Sequence, residues 1–144
     1  MADNLIQQFL LNNSTPTVTL KKTLDAQALR QKAHAQNIAN AETPGYQRMT
    51  VDFEDMLKAA TENDKTANMQ QSNSKHMPSH SNQALEALKP NVRREPLPKD
   101  GNGVNGVDID QEMAEMAETQ LRYLTALELL KRRYTEMKSV IRGQ

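Results

Sequence analysis

The sequence predicts a mainly α-helical protein in which long N- and C-terminal helices pair as a coiled coil, with a short extra helix and an irregular, partly flexible middle segment. A strong helical pattern of apolar residues covers 108–142, and a weaker one covers 16–41. Leu, Ile, Val and Phe account for only 27 of the 144 residues, although the net charge is zero. A fraction below ~20% favours partial disorder, whereas zero net charge disfavours a fully unfolded chain. We expect three segments, residues 1–46, 47–106 and 107–144.

The C-terminal pattern has the heptad spacing of a coiled-coil helix. Its seam consists of Ile109, Met113, Met116, Gln120, Tyr123, Leu127, Leu130, Tyr134, Met137 and Ile141, all apolar except Gln120. Asp108 can cap the first turn and Gln111 can reach back to its amide, which predicts a capping box. A second apolar strip of Ala117, Leu121 and Leu124 lies beside the seam. This helix is therefore expected to need more than one neighbour.

The N-terminal region contains a second long helical pattern. A short amphipathic stretch at residues 4–11 is too short to be stable alone and needs a surface to dock on. Thr15 followed by Pro16 predicts an N-cap and a helix from Pro16 to about Ala41. Its thin apolar face consists of Leu20, Leu24, Ala28, Ala35, Ile38 and Ala39. We expect this helix to pair with the C-terminal helix, so that the two chain ends form the core.

A turn ends the first helix. Pro44 disfavours helical backbone at Thr43, and Pro44-Gly45 fits the central positions of a type II turn, which directs Tyr46 to a fixed place. A short strand at 48–51 and a short helix at 53–60 follow. Residues 61–106 are poor in apolar side chains and are predicted to be an irregular insert, with proline-rich, extended backbone on both sides of Arg93-Arg94.

No residue pattern predicts an enzyme, a metal or a cofactor. His76 and His80 are four residues apart, but Pro78 spoils their presentation on a helix. His34 is interpreted as a structural histidine, and helix capping and the helix dipole explain the carboxylates of residues 108–118. The basic residues 131–133 lack stacking aromatic neighbours, and the glycines of residues 101–106 lack the context of a phosphate loop. We therefore expect neither nucleic acid nor a small-molecule substrate as a partner.

The sequence contains no cysteine and no apolar run long enough to span a membrane. Its N-terminal residues lack the basic start and apolar block of a cleaved signal peptide. If the protein leaves the cytoplasm, we expect it to use another route.

Two motifs carry a resemblance to a known family. Residues 37–46, with the pattern N-I-A-N-x-x-T-P-G-Y, resemble the N-terminal signature of the flagellar axial proteins, which are the rod, hook and hook-associated subunits of the bacterial flagellum. Residues 107–123, V-D-I-D-Q-E-M-A-E-M-A-E-T-Q-L-R-Y, resemble the C-terminal helix of a proximal-rod member. The chain departs from that pattern in the run Gly-Val-Asn-Gly at 103–106 and in its extension before Pro16.

The resemblance implies a structural subunit of the proximal rod, exported without a cleaved signal peptide through the flagellar type III apparatus and assembled in the periplasm. Implied partners are further copies, other rod subunits, the FliE adaptor, the MS ring and the export gate. The implied assembly turn consists of Asn37, Ile38, Ala39, Asn40, Thr43, Pro44, Gly45 and Tyr46. The implied helix-packing seam consists of Leu20, Leu24, Ile109, Met113, Met116, Tyr123, Leu127, Leu130, Tyr134, Met137 and Ile141.

Two alternatives stay open from the sequence. The sister proximal-rod protein FlgC shares the N-terminal signature but is expected to carry a different C-terminal helix. A soluble coiled-coil adaptor or chaperone that stays in the cytoplasm would also have two long paired helices.

Overall fold

The computed structural model describes residues 14–66, 83–97 and 106–142. Within them the chain forms helix α1 (Thr15–Ala39), strand β1 (Met49–Asp52), helix α2 (Glu54–Thr66), helix α3 (Gln83–Ala87), strand β2 (Asn91–Arg94) and helix α4 (Ile109–Arg142). Helices α1 and α4 share the most extensive contact, which confirms the predicted fold class. None of the described helices has the length and apolarity needed to cross a membrane.

Some predicted features fall outside the described residues. They are the short helix at residues 4–11, the histidines His76 and His80, and most of the glycine run at 101–106. The parts of the predicted irregular insert at 67–82 and 98–105 also lie outside.

Helix α1 begins one residue earlier than predicted. Ser14 is the N-cap, with extended backbone at φ −80° and ψ 125°, and its carbonyl oxygen accepts hydrogen bonds from the amides of Thr17 and Val18. The side-chain hydroxyls of Ser14 and Thr17 lie 2.7 Å apart. Pro16 thus takes the second helical position, where a missing N–H leaves no hydrogen bond unmade. At the other end the helix stops at Ala39, two residues before the predicted end.

Helix α4 begins where the sequence predicts, but its capping box is incomplete. The Asp108 carboxylate accepts hydrogen bonds from the amides of Asp110 at 2.9 Å and Gln111 at 3.3 Å. The Gln111 side chain does not return to the Asp108 amide. It donates forward to the Glu115 carboxylate at 2.7 Å instead. A hydrogen bond to a carboxylate is stronger than one to a backbone amide. The Gln111 side chain therefore bonds to Glu115 rather than to the Asp108 amide.

The two long helices run antiparallel, because the end of α1 lies beside the start of α4: Asn37 and His34 both bond to Glu112. The buried residues of α1 are Thr17, Val18, Ala26, Gln27, Ala33, His34 and Asn37, and those of α4 are Glu112, Thr119, Ala126 and Leu130. The apolar face predicted for α1 was wrong in part, because its alanines Ala28, Ala35 and Ala39 are exposed. The inner faces combine small residues with polar ones, which hydrophobic periodicity does not detect.

The described residues of the middle segment are more regular than the sequence predicts. Helix α2 extends to Thr66, six residues past its predicted end. Strand β1 lies one residue after the predicted strand and pairs antiparallel with β2, so that Val51 lies opposite Val92. The prolines around Arg93-Arg94 favour extended backbone, but only the structure reveals a paired strand there.

A small apolar cluster ties the middle segment to α1. Val18 of α1, Ala60 of α2 and Leu85 of α3 are buried together, and Leu57 and Leu88 pack against them. The Lys22 ammonium also donates to the Glu86 carbonyl oxygen at 2.6 Å, so α3 is held on α1 by both apolar and polar contacts.

Replacing Leu85 by alanine is expected to lower the free energy of unfolding by about 2–5 kcal/mol, because the side chain is only 1% exposed and leaves a cavity. Leu97→Ala is the matched control, since Leu97 is 43% exposed, and should cost less than about 1 kcal/mol. Urea denaturation followed by circular dichroism measures both. Equal losses for the two variants would contradict the assignment of this cluster.

Candidate assembly site

The chain turns sharply after α1. The amide of Tyr46 donates to the Thr43 carbonyl oxygen at 3.2 Å, and Gly45 between them has a φ of +74°. These are the features of the type II turn that Pro44-Gly45 predicts. Gly45 supplies the left-handed backbone, which side chains with a Cβ atom disfavour. The turn therefore sends the chain back along the end of α1.

Asn37 fastens the returning chain to the helix. Its side-chain oxygen accepts hydrogen bonds from the Met49 amide at 2.8 Å and the Tyr46 hydroxyl at 3.0 Å. Its side-chain nitrogen donates to the Met49 carbonyl oxygen at 2.9 Å and to the Glu112 carboxylate at 3.1 Å. Asn37 is completely buried, and these bonds use all the hydrogen-bonding capacity of its amide. One side chain thus joins α1, the turn, β1 and α4.

Glu112 receives hydrogen bonds from three residues, two on α1 and one in the segment before β1. Its carboxylate accepts from Arg48 Nε at 2.5 Å, from His34 Nδ1 at 2.7 Å and from Asn37, and the residue is only 1% exposed. Burial alone would raise its pKa, but the bonds from His34, Asn37 and Arg48 outweigh that effect and hold the pKa below its ordinary value. Glu112 is therefore a buried, ionised and well-bonded carboxylate.

Neighbouring charges complete the cluster. The Arg48 guanidinium also donates to the Glu115 carboxylate at 2.6 Å and lies 3.5 Å from Glu95. Burial lowers the pKa of Arg48, but the surrounding carboxylates more than compensate and raise it. Burial raises the pKa of Tyr46, so its phenol stays protonated and able to donate to Asn37. We call Asn37, Tyr46, Arg48, His34 and Glu112, which share these contacts, the polar clamp.

His34, Glu112 and Glu115 offer ligand atoms that lie within 4.8 Å of one another, a spacing that suits a metal ion. The Arg48 guanidinium, however, bonds to both carboxylates, and Glu112 already accepts from three donors. A cation would have to displace Arg48 and these hydrogen bonds. The set fits an ion-pair network better than a metal site.

A polar cleft of about 450 Å³ lies beside the clamp, between β1 and the two long helices. Arg30 crosses one wall, with both terminal nitrogens on the Glu54 carboxylate and a 3.2 Å bond to the Val51 carbonyl oxygen. On the other wall Arg122 pairs with Glu118 at 2.6 Å. Since opposite charges neutralise one another on each wall, the cleft presents no concentrated charge for a ligand.

The structure distributes the predicted assembly-turn residues between interior and surface. Asn37 is buried, while Ile38, Asn40 and Tyr46 are half-buried. Ala39, Thr43, Pro44 and Gly45 are exposed. The turn thus has a fixed inner side and a free outer side.

The predicted seam is likewise divided. Leu130 is buried, whereas Ile109, Met113 and Ile141 are exposed. The half-buried members are Leu20, Leu24, Met116, Tyr123, Leu127, Tyr134 and Met137. Only part of the seam therefore faces the rest of its own chain.

Sequence reasoning missed the roles of two clamp residues, Glu112 and Arg48, and identified His34 only as a structural histidine. The interpretation of Glu112 as a helix-dipole residue was wrong, because it is a buried acceptor, and Arg48 carried no pattern of its own. The spacing of these residues could have indicated the buried face of α4. Glu112, Thr119 and Ala126 follow one another at intervals of seven residues, which places them on one face of a helix. His34 and Asn37 are three apart and also share a face.

Glu112→Gln is expected to lower the free energy of unfolding by about 3 kcal/mol, because the Arg48 charge loses a buried partner and an amide NH₂ faces other donors. Glu118→Gln on the exposed side of the same helix is the control, with an expected loss below about 1 kcal/mol. Urea denaturation measures both variants. A loss at Glu112 no larger than that at Glu118 would contradict the clamp.

Acid should weaken the clamp in a defined pH range. Because folding lowers the pKa of Glu112, its ionised form stabilises the fold fully above the ordinary value of 4.5 and progressively less as the pH falls through the lower folded value. The stability difference between the native chain and Glu112→Gln should therefore shrink from about pH 5 to about pH 2. Urea midpoints across this range give the measurement. A difference that stays constant throughout would show that the Glu112 charge is not linked to folding.

The known proteins most informative for this chain are flagellar rod subunits. The family described as flagella basal body rod protein matches residues 19–47, which span most of α1 and the turn. FlgB of Borrelia hermsii is 34% identical over 102 residues, covering 69% of this chain and 76% of that protein. FlgB of Yersinia enterocolitica is 32% identical over 126 residues (84% and 89%), and FlgB of Escherichia coli K12 is 29% identical over 127 residues (85% and 90%). This chain belongs to the FlgB family of flagellar basal body rod proteins.

Proposed function

We propose that the protein polymerises through its terminal helices in the proximal rod and links the membrane ring and export gate to the rest of the rod. The observation that carries this proposal is the apolar surface of α4 that α1 leaves uncovered. Met113, Leu121 and Leu124 are 58%, 66% and 52% exposed. Large side chains exposed in such a row along one helix are typical of a surface that another protein covers.

The lengths of the helices support the same proposal. Helix α4 has 34 residues and α1 has 25, so α4 is longer by roughly 14 Å at ~1.5 Å per residue. Near its end Val140 and Ile141 are exposed. Neighbouring subunits would cover this part of α4 and the exposed seam residues Ile109 and Met113. The half-buried seam residues, Leu127 among them, would then contact both their own chain and a neighbour.

The polar clamp gives the subunit one defined shape before it assembles. A slip of α1 along α4 would remove Glu112 from Asn37 and His34 and leave a buried charge with two of its three donors missing. The exposed outer side of the turn would therefore be presented at a fixed angle to the long helices. On this proposal residues 1–46 and 107–144 assemble, while 47–106 form the insert between them.

The family resemblance supports a proposal for the export route, the location and the partners of the protein. The FlgB family consists of structural rod components rather than enzymes. We propose that this member is exported by the flagellar type III apparatus without a cleaved signal peptide and assembles in the periplasm. Its proposed partners are other rod subunits, the FliE adaptor, the MS ring and the export gate.

Electron microscopy of basal bodies from a strain that lacks this chain tests the proposed role. Membrane rings without rod, hook and filament, together with loss of swimming, are the expected result. Restoring the gene on a plasmid should restore both. Motile cells with intact rods, in the absence of a second copy of the gene, would overturn the proposal.

Leu124→Asp is expected to prevent rod assembly, because a carboxylate in an apolar subunit contact loses its hydration without gaining a partner. Leu124 is half exposed in the single chain, so its thermal midpoint should change little. Arg122→Asp introduces the same carboxylate on the opposite side of α4, at an exposed residue whose ion pair with Glu118 is worth less than about 1 kcal/mol, and should leave assembly intact. Rods in basal-body preparations and export of the subunit are scored for both variants. Normal rods with Leu124→Asp would show that this face of α4 is not a subunit contact.

A further inference from the structure

The two-stranded sheet has an edge whose hydrogen-bonding groups can be identified from its register. The Glu95 amide donates to the Arg48 carbonyl oxygen at 2.9 Å, and Thr50 lies opposite Arg93. In an antiparallel pair, bonded and non-bonded residue pairs alternate, so Arg93 and Asn91 bond to β1. The N–H and C=O groups of Val92 and Arg94 therefore point away from β1.

On the opposite edge of the sheet, side chains already bond to the outward backbone groups of β1. The Asn37 side chain bonds to both the amide and the carbonyl oxygen of Met49, and Arg30 bonds to the carbonyl oxygen of Val51. In the part of the chain that the structure describes, the sheet contains only β1 and β2, and no hydrogen bond reaches the outer edge of β2. The sheet can therefore grow in one direction only, beyond β2.

The side chains along this edge determine which kind of strand can add to it. Lys89, Arg93 and Arg94 are exposed, and the ion pair of Arg93 with Asp52 is long at 3.5 Å. A second copy of β2 would place arginines close together, and like charges across a strand pair are unfavourable. Opposite charges are favourable in the same position. Val92, which is 41% exposed, offers an apolar contact to the residue that lies opposite it on an incoming strand.

We propose that the outer edge of β2 binds an extended acidic segment of a partner protein, which adds to the sheet as a third strand. Backbone hydrogen bonds to Val92 and Arg94 would supply affinity, and the basic side chains would select acidic residues. This surface is separate from the helical faces assigned to polymerisation. The inference therefore does not depend on the proposed function.

A synthetic peptide of alternating valine and glutamate with blocked ends, added to the full-length chain, tests this proposal. Its lysine counterpart is the control. Binding is measured by fluorescence anisotropy, and amide hydrogen exchange is followed by NMR. The glutamate peptide should bind and slow exchange at the Val92 and Arg94 amides, which bear no bond to β1. The lysine peptide should not bind.

Val92→Pro removes one outward N–H group without removing a bond to β1, and proline is tolerated on sheet edges. It should weaken peptide binding about tenfold, the value of one hydrogen bond, with a small change in thermal midpoint. Val92→Thr keeps the N–H and the branched side chain and should bind as the native chain does. If Val92→Pro unfolds the chain, amide exchange in the native protein decides the question.

Four outcomes would overturn the proposal. The first is that the glutamate peptide does not slow exchange at the Val92 and Arg94 amides, and the second is that a folded Val92→Pro variant binds the peptide as tightly as the native chain does. The third is that the lysine peptide binds as tightly as the glutamate peptide. The fourth is that the chain self-associates through β2 and that Val92→Pro abolishes this association.

Discussion

The ionised Glu112 carboxylate is the group on which the arrangement of the elements depends. A carboxylate removed from water is costly unless several donors replace its hydration. Asn37, His34 and Arg48 supply those donors from α1 and from the segment after the turn. The inner faces of the long helices include small residues such as Ala33 and Ala126, and small smooth side chains allow two helices to slide. The charged group removes that freedom, since one alignment satisfies it.

The composition of the signature turn follows from this constraint. Residue 37 must donate to a carboxylate and a carbonyl group and accept from an amide and a hydroxyl. An asparagine amide can do this, whereas an aspartate at the same place offers no donor to Glu112. Gly45 and Pro44 bring Tyr46 back to the helix end, and Tyr46 completes the bonds of Asn37. Hydrogen bonding therefore accounts for Asn37 and Tyr46 in the motif, and the turn geometry accounts for Pro44 and Gly45.

The sequence was sufficient for features that local signals specify. Capping predicts the start of α4, turn chemistry predicts the Pro44-Gly45 turn, and heptad spacing predicts the pairing of the terminal helices. The relatives of this chain also show that it belongs to the FlgB family rather than to FlgC or to the cytoplasmic adaptors. The polar clamp and the β1–β2 pair were not predicted, because each joins residues far apart in the chain. Hydrophobic periodicity also assigned the packing seam of α4 to the face with the largest apolar side chains. The inner face of α4 instead follows Glu112 and Thr119, which such a pattern counts as polar.

In a subunit of a polymer, polar and apolar faces can serve different contacts, the first within the chain and the second between subunits. Hydrogen bonds are directional, so a polar clamp can define the alignment of two helices within one chain. Apolar contact is non-directional and grows with area, so it suits surfaces that gain their partners later. In this chain the clamp lies between α1 and α4, while Leu121 and Leu124 face outward. Under the proposed function, the shape of the subunit is therefore defined by its buried charges, and its adhesion to neighbours by the hydrophobic surface that those charges leave free.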